Sequence, residues 1–140
     1  MNQTAALTAA LRAEHAAIYA YGVVGARLDD AARAAALVAF DAHRTRRDAL
    51  GVALTSRGQS APGPAASYDV RVAGRPQALA LAIRVEVEVA VRWRDLIAST
   101  TDAGVRRLAV PALQDCAVRA AQWRKLAGLS PLTTALPGTV

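Results

Sequence analysis

A chain of 140 residues with 54% hydrophobic side chains is long enough to bury one core and too short for several. Its single cysteine, Cys116, excludes an intrachain disulfide and reads as a small buried apolar residue. The net charge of +6 comes from arginines scattered through every segment, not from a basic tail. It therefore reads as a solvated helical surface and not as a nucleic-acid footprint. The charge-free stretch from Ala16 to Ala26 falls short of the roughly 20 apolar residues a bilayer span needs. The start MNQTAALTAALRAEH lacks a basic region followed by an apolar run, so no signal peptide is expected and a cytoplasmic protein without membrane contact follows.

Alanine abundance and scarce β-branched runs favour helix, since alanine loses no side-chain entropy on ordering. The first helix is expected over 4–28, with Thr4 as N-cap and a seam of Leu7, Leu11, Glu14, Ile18, Tyr21, Gly25 and Leu28 in steps of four and three. Asp29 and Asp30 end it and cap the second helix, expected over 31–56 with the seam Ala36, Phe40, His43, Arg47, Leu50 and Leu54, and stopped by Gly58. From 57 to 76 the periodicity vanishes in a glycine- and proline-rich connection, in which SYDVRV is a candidate extended piece and Tyr68, Val70 and Val72 are candidates to pack on the helices.

The third helix is expected over 77–98, with Leu79, Ile83, Glu86, Ala90, Trp93 and Ile97 on its seam. The valines at 85, 87, 89 and 91 alternate like a strand, but the run is long and flanked by leucine, alanine and arginine, which favours helix. The fourth is expected over 102–127 through Leu108, Ala112, Asp115, Arg119, Gln122 and Leu126, with Pro111 as a kink or a first turn and Gly128 as the stop. A tail over 128–140 carries Leu132 and Leu136 to dock across the end of the bundle.

Short loops join helices 1–2 and 3–4 into antiparallel hairpins. The long connection spans up to ~65 Å when extended, against ~38 Å for a 25-residue helix, so it can run the length of the bundle and leave helices 2 and 3 parallel. Glu14, His43, Glu86 and Asp115 each interrupt an apolar stripe near its midpoint and would meet at one level. Charges buried in one layer are costly unless they bind a metal or pair with opposite charges. No glycine-rich phosphate loop, cysteine pair or nucleophile–base arrangement offers another chemistry.

The hairpins, the crossover and the carboxylate layer resemble the ferritin-like superfamily. EHAAIYAYG, FDAHRTRRDAL, ASYDV and LAIRVEVEVAVRW resemble more narrowly a bacterial branch of it, a ferritin-like domain of unknown function of the DUF4439 type. The resemblance implies an all-α, ferritin-like four-helix bundle in one domain. In metal-binding members, two helices each give a glutamate and two each give Glu-x-x-His. Glu14 and Glu86 match the single glutamates. His43 matches a histidine, but Phe40 stands where its carboxylate should be; Asp115 matches a carboxylate, but Val118 stands where its histidine should be.

Arg47 and Arg119 follow His43 and Asp115 by four residues, and a guanidinium binds carboxylates, not metals. The expected site is thus a buried network of Glu14, His43, Arg47, Glu86, Asp115 and Arg119, with no cofactor. The expected protein is a non-catalytic structural or binding module. The alternative is a di-metal oxidoreductase or iron-binding protein holding iron or manganese on Glu14, His43, Glu86 and Asp115; a third reading is a DNA-protecting ferritin-type protein, motivated by charge alone. Alanines 5, 9, 16 and 20 form a small-residue face on helix 1 suited to a homodimer contact.

Overall fold

The computed structural model describes residues 1–139, and the described residues form four helices and no strand. They are α1 (Gln3–Gly25), α2 (Asp30–Thr55), α3 (Arg75–Ser99) and α4 (Ala103–Leu126). The helix ends follow local chemistry. Asn2, not Thr4, caps α1, its Oδ1 accepting from the Ala5 amide at 2.8 Å. Asp102 caps α4 by accepting from the amides of Gly104 and Val105. At the other end of α4, Gly128 takes φ +70°, which lets Leu129 and Gly128 donate back to the carbonyls of Arg124 and Lys125. α1 ends at Gly25, three residues before the expected stop, yet Leu28 beyond it is still buried.

Pairing α1 with α2 and α3 with α4 buries most of the apolar stripes, and α1 packs along α3 as well; α2 and α4 make the thinnest seam. Thr100 at the end of α3 donates to Gln3 at the start of α1 at 2.5 Å. Arg57, just past α2, pairs with Asp102 before α4 at 2.5 Å. Each of these contacts joins the end of one helix to the start of another, so α1 opposes α3, α2 opposes α4, and α2 and α3 run the same way. The alternating valines of α3 obey helical spacing: Val85 and Val89 are buried, Val87 and Val91 half-buried. Pro111 sits inside α4 on its exposed side.

The segment between α2 and α3 returns over the groove between α1 and α3. The His15 ring nitrogen Nε2 lies 3.0 Å from the Pro62 carbonyl, the Tyr68 ring packs 5.2 Å from that of Tyr19, and Val72 is buried. SYDVRV stays irregular. Of the alanine face on α1, Ala20 is buried, and Ala16 is half-buried and lines a pocket together with Tyr68. The tail also docks differently from the expectation. Leu132 and Leu136 stay exposed, and Gly138 makes the contact instead. A Cβ there would come within 2.9 Å of the Ala90 carbonyl oxygen, so only glycine fits against α3. Among the described residues no helix is long and apolar enough to cross a membrane.

Candidate functional site

Three charged side chains have 0% exposure: Glu14 on α1, His43 on α2 and Glu86 on α3. Each stands mid-helix on a buried stripe, and the antiparallel packing of α1 on both neighbours brings them together. His43 bridges the two acids. Its Nδ1 lies 2.5 Å from Glu14 Oε2 and its Nε2 lies 3.1 Å from Glu86 Oε1. A carboxylate accepts, so each ring nitrogen must donate, and the ring that satisfies both is the imidazolium. Burial alone pulls the His43 pKa down. The hydrogen bonds to Glu14 and Glu86 and the charges behind them outweigh it and raise the value from 6.5 to about 9.

Aromatic donors complete the layer. Tyr21 donates to Glu86 Oε1 at 2.5 Å, Trp93 donates to Glu14 Oε1 at 2.8 Å, and Trp123 donates to the Tyr21 hydroxyl oxygen at 2.8 Å. Tyr21 follows Glu14 by two turns on α1, and Trp93 follows Glu86 by two turns on α3. With the helices opposed, each aromatic reaches the other helix's glutamate, giving a reciprocal pair around His43. The Tyr21 ring stacks on the imidazole at 5.3 Å. Burial, and then the Glu86 charge and hydrogen bond, hold the Tyr21 phenol protonated far above its ordinary range. For Glu86, burial pushes the pKa up, but His43, Tyr21 and the Arg119 charge prevail and lower it. The Cys116 thiol is raised well above its ordinary value by burial, then by the charges of Glu86 and Glu14, so it stays an unreactive S–H.

The other three residues expected in the network lie outside it. Asp115 has a side chain 55% exposed, and its partner is Arg46, not Arg47. Arg47 is half-buried and pairs with its own neighbour Asp48 at 2.8 Å. Arg119 comes near enough to bias Glu86 but makes no ion pair among the described residues, and its Nη1 is buried without a partner. The cause is a shift of one position in each buried stripe. On α2 the buried residues are Ala36, Ala39, His43, Arg46 and Leu50; on α4 they are Ala112, Cys116, Ala120 and Trp123. Phe40 and Leu108, whose size suggested the other register, are half-buried flankers.

Arg46 is 8% exposed and uses one nitrogen on Asp115, while its Nη1 has no partner among the described residues. Arg46→Ala is expected to cost about 1–2 kcal/mol, mostly lost stem packing, because the Asp115 left behind is hydrated. Arg47→Ala should cost under about 0.5 kcal/mol. Urea melts of the two variants check this, and equal losses would contradict the placement of Arg46.

Comparison with known proteins gives the same architecture without an activity. The chain is similar to the crystal structure of a conserved hypothetical protein, rv2844, from Mycobacterium tuberculosis, at 38% identity, covering 96% of each chain with a TM-score of 0.86. No curated protein matches. A family model described as a domain of unknown function, DUF4439, matches residues 6–140, and the chain belongs to that family.

Proposed function

We propose that the protein is a non-catalytic binding module of ferritin-like architecture in which a protonated histidine replaces the metal. The observation that carries this is His43 set between two buried glutamates, its Nδ1 2.5 Å from Glu14 and its Nε2 3.1 Å from Glu86, an environment that raises its pKa to about 9. A metal needs a nitrogen lone pair and free carboxylate oxygens. In this reading both nitrogens carry protons, as the raised His43 pKa favours, and both Glu14 oxygens and one Glu86 oxygen accept hydrogen bonds. A cation at the centre of the layer is thus supplied by the chain. Asp115, the fourth ligand of the metal-binding alternative, faces solvent. Among the described residues no three His, Cys, Asp or Glu side chains form a group suited to a metal ion.

Elemental analysis of protein supplied with iron and manganese tests the reading. Well under one transition-metal ion per chain is expected. Near-stoichiometric metal that disappears in Glu14→Ala would overturn it.

A further inference from the structure

A cavity of about 660 Å³ lies between α3, α4 and the C-terminal tail, within the size range of small-molecule sites. Its walls include Ala90, Ala117 and Ala121, and Leu132 of the tail closes one side. Gly138 pins that tail to α3, as described above. At the floor stand Glu86 and Cys116. Glu86 is fully buried, yet only its Oε1 accepts hydrogen bonds, from Tyr21 and His43. Its Oε2 is buried without a hydrogen-bond partner among the described residues. A carboxylate oxygen left this way carries an uncompensated desolvation cost that a ligand donor would remove. The Cys116 thiol beside it acts on Glu86 as a hydrogen-bond donor, but a weak one that offsets little of this cost.

Charge selects the donor. Two carboxylates and one imidazolium leave the layer one negative charge in excess; the nearby Arg119 guanidinium acts on Glu86 through its charge but makes no ion pair with it among the described residues. An ammonium is the complementary head group, and the alanine walls suit an alkyl chain. Arg124 and Lys125 also line the cavity; Arg124 is turned to the Leu132 carbonyl at 3.4 Å, and Lys125 is exposed.

We propose that this cavity binds a primary alkylamine, its ammonium donating to Glu86 Oε2 and its chain lying against the alanines of α3 and α4. The assignment gives a ligand class to the binding module proposed above and rests on that reading.

Isothermal titration of the full chain at about pH 6.5 with octylamine, octanol and octanoate tests it. Octylamine is expected to bind one to one, and roughly tenfold or more tighter than octanol; octanoate should not bind. Glu86→Gln keeps the shape but places an amide donor where the ammonium would sit, and should weaken octylamine roughly tenfold or more. Ala121→Phe fills the cavity without touching the buried layer, so it should keep the fold and lose octylamine binding. Equal binding of all three probes, no octylamine binding, or unchanged binding by Ala121→Phe would overturn the proposal. Metal content of the same samples separates the two readings. Metal-free protein that ignores octylamine defeats only the ligand assignment, whereas stoichiometric iron or manganese defeats the reading beneath it.

Discussion

His43→Ala should destabilise the protein by about 3–5 kcal/mol, the largest single-residue effect expected in the chain. The folded state would keep Glu14 and Glu86, both at 0% exposure, with no cation between them. Two carboxylates cannot remain ionised side by side in a low-dielectric layer, so at least one must take up a proton on folding. The truncation also leaves a cavity against the Tyr21 ring, which stacks on the imidazole. A domain of this size has a total stability of only about 5–15 kcal/mol, so the variant is to be measured in the cold and in stabilising salt; urea melts under those conditions give the difference from wild type. A loss below about 1 kcal/mol would mean that the histidine is not the charge balance of the layer. The bridge need not make the fold more stable than apolar side chains of the same shape would; what is costly is removing one member of it.

How the site came to be only half legible follows from helix geometry. Glu14 and Glu86 stood out because each is the lone charged residue on a stripe otherwise apolar over several turns, and His43 because it follows an apolar stretch of its own stripe; such residues face the bundle interior. Asp115 interrupts the seam expected for the fourth helix in the same way, yet its side chain is 55% exposed, and Arg47 and Arg119 follow from the next step of four along those seams. After any seam residue, positions three and four further on lie on opposite flanks, and only the neighbouring helix decides which is inside. On α2 that neighbour is α1 more than α4, so Ala39 and Arg46 turn inward. On α4, Trp123 fixes the register, because its indole N–H finds the Tyr21 hydroxyl. The aromatic donors did carry a signal: Tyr21 and Trp93 each follow a seam glutamate by seven residues, the spacing that keeps two side chains on one helical face. Their polar tips needed partners, and glutamates on the facing helix were the nearest acceptors. The crossover's path over α1 and α3 was partly visible in Tyr68 and Val72. The docking of the tail through Gly138 was not, since a close backbone approach leaves no mark beyond the glycine itself.

Stability should fall as the pH rises from about 6.5 to about 9, by up to about 3 kcal/mol. His43 has a pKa of about 9 in the folded chain against 6.5 ordinarily. A group whose folded value is raised contributes its full stability below the unfolded value and loses it as pH climbs through the folded one. A gap of roughly 2.5 units at 1.36 kcal/mol each sets the scale. Glu86 acts in the opposite sense: its folded value is lowered, so its contribution is present above the ordinary carboxylate range and fades as the pH falls below it. The two limbs leave a stability maximum on the mildly acidic side of neutrality. Urea midpoints from about pH 2.5 to about pH 9.5 trace both limbs, and Glu14→Gln, which removes one of the two charges holding the imidazolium, should flatten the alkaline one. Nitrogen NMR of the imidazole gives the same answer by another route, with both ring nitrogens of His43 protonated at neutral pH. A neutral ring at pH 7, or midpoints unchanged between pH 6 and pH 9, would show that one carboxylate carries the bridging proton and that the layer has no internal cation.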